Sequence, residues 1–233
     1  MSRPPACGPF VLLVHGAHHG AWCWEAVTER LGEAGLRSYA MDLPLSSFTD
    51  DTEAVREAVR EGARHGPVLL VAHSYGGLPV SAGGHAAARL VYVAARMPMP
   101  GESAARLTPR WNDPAFHQSV QTGPDGTVTL LPTARAALYS TTPVRYAEHA
   151  STLWRPMRSR VPHTPLDDPA WLTVPSAYVV CAADRTVLPK AQRACAARAT
   201  TRVELDCDHS PFYSAPDPLA QFLASQAALV THG

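Results

Sequence analysis

Six short runs rich in Val, Leu and Tyr punctuate this chain, at Phe10 to Val14, Arg37 to Met41, Val68 to Ala72, Leu90 to Ala94, Ala177 to Cys181 and Val203 to Asp206. Longer stretches of helical pattern separate most of them. A strand covered on both faces reads as a nearly unbroken apolar run, and parallel neighbours need a crossover of a dozen or more residues. The alternation therefore predicts an α/β architecture: a roughly six-stranded, mostly parallel sheet flanked by helices. Thr52 to Arg64 places Ala54, Val55, Ala58, Val59 and Gly62 on one face and its charges elsewhere, as a helix packed on a sheet requires. Further helices are predicted at Trp24 to Ala34, Tyr75 to Ala87, Lys190 to Ala199 and Asp217 to Leu229, the last with Asp217 as N-cap and Pro218 at the first helical position.

The rhythm breaks between Arg96 and Leu172, where proline recurs and Trp111, Trp154 and Trp171 appear. Such a stretch is too long for an ordinary connection and too apolar for a disordered one. It predicts a lid over one end of the sheet, with a short strand at Thr127 to Leu131 and mostly helix from Ala134 to Trp154. One domain results, with residues 1–95 and 173–233 as core and 96–172 as the lid insertion. A length of 233 residues suits that arrangement.

Charge narrows the partners. The 20 basic and 20 acidic side chains cancel, which gives no electrostatic reason to expect nucleic acid or an anionic membrane. No run approaches the roughly 20 apolar residues that cross a bilayer, and the N-terminal apolar stretch leads into Gly and His rather than a cleavage site. Cys7, Cys23, Cys181, Cys195 and Cys207 have no C-x-x-C spacing. A cytoplasmic protein with reduced thiols and a small-molecule substrate is expected, its oligomeric state left open.

The third run ends abruptly in "VAHSYGG", close to the G-x-S-x-G pattern that turns a nucleophilic serine out of a strand, with Ala72 at the first glycine position. Serine is a weak nucleophile without a base to take its proton. In a parallel α/β sheet functional groups collect at the carboxyl ends of strands, and there Asp184 follows "AYVVCAAD" and His209 follows "RVELDCDH". Ser74, Asp184 and His209 are thus the candidate catalytic residues. Each has a plainer reading: Ser74 as a small residue opening a helix, Asp184 as a helix cap or a partner of Arg185, His209 as a structural histidine. Asp206 and Asp208 compete for the carboxylate role, but neither follows the strand before the helix at Lys190. His73 reads as packed, and His65, His85, His117, His149 and His163 as surface residues.

Acyl chemistry also needs donors for the oxyanion. His15-Gly16-Ala17 directly follows the first strand, so the backbone N–H groups of Ala17 and of Tyr75, just after the nucleophile, are the candidate pair. His18 and His19 lack the spacing of a zinc site, so neither metal nor cofactor is expected. His18, Trp111, Trp154, Met157 and Phe212 are candidate substrate contacts, each with simple core packing as its alternative.

With these segments in place the sequence resembles the α/β-hydrolase superfamily, in the small-esterase branch that includes plant methylesterases, plant hydroxynitrile lyases and related bacterial esterases. "FVLLVHGAHHGAWCWE", "MDLPL", "VAHSYGG", "LVYVAARMPMPGES", "YVVCAADRTVLPKAQ" and "DHSPFYSAPDPLA" carry the resemblance. It implies the α/β-hydrolase fold and a Ser-His-Asp acyl-enzyme mechanism. The lyases of that branch carry threonine where Gly16 stands and lysine where Ser210 stands, which places hydrolysis of a carboxylic ester, lactone or thioester ahead. The alternatives are a cyclase, lyase or acyl-transfer step on a natural-product intermediate, and a non-catalytic small-ligand binding protein.

Overall fold

The structure, a computed structural model, describes residues 8–158 and 165–230. Its centre is a six-stranded sheet of β1 (Phe10–Val14), β2 (Arg37–Met41), β3 (Val68–His73), β4 (Arg89–Val93), β7 (Ser176–Cys181) and β8 (Thr201–Leu205). Spatial order is β2-β1-β3-β4-β7-β8 and each adjacent pair is parallel. Every residue of β3, β4 and β7 is buried, while the edge strand β8 alternates between half-buried and exposed. Alternate side chains feed two cores. Leu12, Val14, Leu70 and Ala72 pack on one side with Val55, Val59 and Leu78. Val11, Leu13, Leu69 and Val71 pack on the other with Val27, Leu31, Leu219 and Leu223.

The helices of the first core are α2 (Phe48–Gly62), α3 (Gly77–Gly83) and α8 (Pro189–Ala196), and those of the second α1 (Glu25–Glu33) and α10 (Pro216–Ala228), with the single turn α9 (Pro211–Ser214) just before α10. Three differ from expectation. Helix α2 starts four residues earlier than the apolar period indicates, because Ser47 caps it by accepting from the Asp50 N–H at 3.0 Å. The predicted helix from Tyr75 to Ala87 is a 3-10 turn at Ser74–Gly76 followed by a short α3 that stops at Gly83. The chain descends there on Leu70 and Leu90, and a Cβ at Gly84 would meet Val80 O at 2.7 Å. Asp217 does not cap α10, which begins at Pro216; it lies in the first turn and pairs with Arg30 of α1.

Between β4 and β7 the chain builds α4 (Ala104–Trp111), α5 (Pro114–His117), an antiparallel hairpin of β5 (Val120–Thr122) and β6 (Val128–Leu130), then α6 (Arg135–Leu138) and α7 (Val144–Thr152). Phe116, Ala134, Leu138, Tyr139, Ala147 and Ala150 give it a small apolar cluster of its own. The long helix expected over Ala134 to Trp154 is two, broken at 139–143. Pro143 opens the second, and the buried Asp208 carboxylate accepts from the Thr141 and Thr142 N–H groups at 2.9 and 2.8 Å, offering them a better partner than a helical turn.

The turn after β3 depends on two glycines. A Cβ at Gly76 would lie 2.6 Å from His15 O, and one at Gly77 2.3 Å from Arg96 O. Both obstacles are backbone atoms and neither can rotate away. Gly77→Ala is expected to lower unfolding free energy by about 1–3 kcal/mol through overpacking, read as a drop in urea midpoint. An unchanged midpoint would show that the strands separate there more easily than this packing implies.

Candidate active site

Strand order fixes where a site can form. The connection leaving β1 runs to β2 on one side and the connection leaving β3 runs to β4 on the other, so the sheet changes winding direction between β1 and β3. A crevice opens at such a point beyond the strand ends. His15-Gly16-Ala17 leaves β1 on one side of it and Ser74-Tyr75-Gly76 leaves β3 on the other. Ser74 holds the left-handed conformation, φ 51°, which for a non-glycine residue is strained and lifts its side chain out of both strand and helix.

The partners arrive from the far strands. His209 Nε2 lies 2.9 Å from Ser74 Oγ, and His209 Nδ1 lies 2.7 Å from Asp184 Oδ2. An Nδ1–H donated to the carboxylate leaves Nε2 as the acceptor for the serine proton. Asp184 is held from all sides. Its Oδ1 accepts from the Thr186 and Val187 N–H groups at 2.6 and 2.9 Å, and its Oδ2 also accepts from Gln192 Nε2 at 2.7 Å. Arg185 is exposed and forms none of these bonds. The competing Asp208 is occupied elsewhere: besides Thr141 and Thr142 it accepts from the Ser210 N–H at 2.9 Å and Ser214 Oγ at 2.8 Å. It clamps the loop that carries His209 instead of touching the imidazole.

The loop after β1 is wired by neutral imidazoles. His15 Nε2 accepts from the Leu43 N–H at 2.9 Å, so its Nδ1–H donates to Gly16 O at 2.7 Å. In a trans peptide the N–H points opposite to the carbonyl, so the Ala17 N–H is turned away from the His15 ring. His19 donates from Nδ1 to Ala17 O at 2.9 Å, and its Nε2 accepts from the Tyr139 hydroxyl at 3.0 Å. That hydroxyl in turn accepts from Trp154 Nε1 at 3.0 Å. A polar chain thus runs from the β4–β7 segment to the loop beside the nucleophile. His73, packed as its apolar run suggests, also donates from Nε2 to His209 O at 2.7 Å.

Above the crevice lies a cavity of about 440 Å³. Ser74, His209, Ala17 and Tyr75 line it together with His18 and Met157. Three proposed contacts do not. Trp111 is buried in the core on the α2 side of the sheet, Trp154 stacks on Tyr139, and Phe212 is fully buried edge-on to Trp24 and His73. The Phe and Tyr rings that do line it are Tyr75 and Phe116. Arg96, Thr108, Asn112 and the exposed His117 form wall that the sequence reading did not identify. His163 and Cys7 lie outside the described residues; the other four cysteines are buried and free. His18 donates from Nδ1 to Arg155 O at 3.1 Å, apart from the His19 network. Among the described residues no cluster of three or more His, Cys, Asp or Glu could hold a metal ion, and no helix is long and apolar enough to cross a membrane.

A family model, described as the alpha/beta hydrolase family, matches residues 11–222. The chain belongs to that family. Among its relatives, an alpha/beta hydrolase, nvfD, of Aspergillus novofumigatus is 28% identical over 94% of this chain and 96% of its own. Methyl jasmonate esterase 1 of Vitis vinifera is 29% identical over 91% of this chain and 94% of its own. The crystal structure of polyneuridine aldehyde esterase superposes with a TM-score of 0.80 at 22% identity, covering 94% of this chain and 99% of that one. This hydrolase-family member therefore shares its fold, over 94% of its length, with a protein named as an esterase.

Two expected outcomes follow from the geometry of this family member. Burial pushes the His15 imidazole down to about 4 and that of His19 to about 3, and holds that of His73 well below its ordinary range. Unfolded imidazoles titrate near about pH 6.5. Above that pH the contribution of the neutral rings is fully present. Below it the unfolded chain binds protons that the folded chain refuses, and stability falls toward about pH 4 by up to about 1.4 kcal/mol per pH unit for each ring. Urea denaturation across that range should show the loss, and a flat midpoint would sink the neutral-ring assignment. Separately, Ser74→Gly should be more stable than Ser74→Ala by about 1 kcal/mol, because only glycine relieves the left-handed strain; equal thermal midpoints would mean that the turn is unstrained.

Proposed function

We propose that this family member is a serine hydrolase of a carboxylic ester, lactone or thioester, with Ser74, His209 and Asp184 as its catalytic residues. The observation that carries the reading is the continuous relay from Ser74 Oγ through His209 to Asp184, with both bonds under 3 Å, at the point where the sheet changes winding direction. The esterase names among the relatives support it. Ser74 Oγ attacks the acyl carbon as its proton passes to His209 Nε2, and Asp184 steadies the imidazolium formed. The Ala17 and Tyr75 N–H groups receive the developing oxyanion. His209 then protonates the leaving alcohol, and a water that gives its proton to His209 releases the acid and restores Ser74.

Residues 96–172 act in this reading as the lid that encloses substrate over the core of 1–95 and 173–233. A cavity of about 440 Å³ suits a small organic ester. Two observations favour hydrolysis over cyanohydrin cleavage. A Cβ at Gly16 would press to 2.9 Å on both Ser74 Cβ and His73 Nδ1, and Ser210, directly after His209, is fully buried and uncharged.

Short-chain p-nitrophenyl esters and a fluorophosphonate probe test the proposal. The probe should label Ser74, and Ser74→Ala should lower ester turnover by about a thousandfold or more. Labelling without turnover of any ester or lactone would redirect the site to a non-hydrolytic acyl reaction. Absence of labelling in folded protein would leave a binding protein.

A further inference from the structure

Arg96 is a cation with too few partners. It follows β4 and its N–H donates to Ser74 O at 3.1 Å, which fixes its backbone against that of the nucleophile. Its side chain lines the cavity, yet the residue is only 8% exposed. Nη2 donates to Asn112 Oδ1 at a long 3.3 Å, and Nη1 is buried with no hydrogen-bond partner. None of the ion pairs among the described residues includes it. The sequence stretches outside those residues, 1–7, 159–164 and 231–233, contain no Asp or Glu. Burial lowers the guanidinium to about 10, so it keeps its charge at neutral pH. No carboxylate side chain lines the cavity either, which leaves Arg96 as the one permanently charged group among its described lining residues.

A buried charge is ordinarily matched by an opposite one, and a guanidinium is shaped to grip a carboxylate through two parallel bonds. Nothing in the described protein supplies that carboxylate, while the cavity beside Arg96 opens onto Ser74. We propose that the substrate supplies it: the ester opened at Ser74 carries a separate carboxylate that binds Arg96, with the Asn112 amide beside it. The inference rests on the hydrolase reading and adds the chemical class of the substrate. Arg96 is then a specificity-determining residue that anchors the far end of the ester while Ser74 attacks the near one.

Two matched pairs test this, each rate taken relative to uncatalysed hydrolysis. Mono-p-nitrophenyl glutarate against p-nitrophenyl pentanoate places the carboxylate on the acyl side. 4-Acetoxybenzoate against 4-acetoxybenzamide places it on the alcohol side. The native enzyme should favour the anionic member of one pair by about tenfold or more in kcat/KM, and that pair identifies the side. Arg96→Met should shrink this ratio by about ten- to a hundredfold, the scale of a charged hydrogen bond, and Arg96→Lys should retain part of it. Should Arg96→Met not fold, the native ratio and Arg96→Lys decide. Ratios near one in both pairs, with neutral esters turned over, would overturn the anion site and leave the hydrolase reading standing. An equal loss on both members in Arg96→Met would make Arg96 structural and likewise overturn it. If no ester is turned over, calorimetry on Ser74→Ala decides separately: tighter binding of the glutarate monoester than of the pentanoate ester, abolished by Arg96→Met, supports the anion site, and equal binding refutes it.

Discussion

Everything at the site depends on how closely three main chains approach one another behind Ser74. Gly76 lies against the carbonyl of His15, Gly77 against the carbonyl of Arg96, and the Arg96 N–H closes onto Ser74 O at 3.1 Å. The ends of β1, β3 and β4 are thereby drawn into one small cluster. A side chain at Gly76 would push the loop after β1 away from Ser74, and one at Gly77 would push away the chain after β4, each by more than a hydrogen bond tolerates. Ala72, the departure from a G-x-S-x-G pattern, is consistent with this arrangement. It sits inside β3, paired with Val14 and Tyr92, where a methyl group packs into the core instead of meeting backbone.

The polar wiring around the cluster uses rings that are kept uncharged. His15, His19 and His73 are each buried, and each donates to a backbone carbonyl from one nitrogen. A protonated ring in any of these places would have to shed a second proton partner or leave it unmatched in an apolar setting. Neutrality also matters to His209, whose ring centre lies 4.7 Å from that of His73. A charge on His73 would oppose any positive charge on the His209 ring. The same burial that fixes the geometry therefore keeps a second cation away from the ring that faces Ser74.

Much of this was legible in the sequence, and the reasons are local. Strands covered on both faces must be apolar throughout, which makes β3, β4 and β7 legible, and the half-exposed β2 and β8 still follow the same alternation with helices; all six expected runs lie within two residues of the observed ends. That Ser74, His209 and Asp184 would meet was legible because a parallel sheet brings its strand ends to one edge, and Asp184 could be preferred over Asp208 as the partner of His209 from strand position alone. What failed depended on tertiary choice. Residue type makes Trp111, Trp154 and Phe212 apolar but does not say which surface they cover, and each chose packing away from the cavity. Strand β5, three residues long and largely exposed, is too short to show a period. The break at 139–143 depends on Asp208, 66 residues distant from Thr142, and no local pattern encodes that bond. Arg96 left no periodic signal either, since its meaning comes from the carboxylates that are not near it.

Backbone strain follows the same edge. The non-glycine residues with positive φ among those described are His18, Leu45, Ser74 and Ala94. They follow β1, β2, β3 and β4 respectively, so each lies beyond the carboxyl end of one of the first four strands. A left-handed non-glycine residue persists only where its surroundings over-determine it, and here each is tied down. His18 is bonded through O and Nδ1 to Arg155, Leu45 through its N–H to Asp51, Ser74 through O to Arg96, and Ala94 through its N–H to Val179. The tie from His18 to Arg155 reaches the segment between β4 and β7, and a further bond, donated by the Arg158 N–H to Leu45 O at 2.7 Å, reaches it from Leu45. The insertion is thus bonded to the strained loops as well as seated over them. A change in its position would be felt first at the turns leaving β1 and β2, one of which holds the Ala17 N–H. That coupling gives the segment between β4 and β7 a mechanical hold on the loop beside Ser74, in addition to the side chains it lends to the cavity wall.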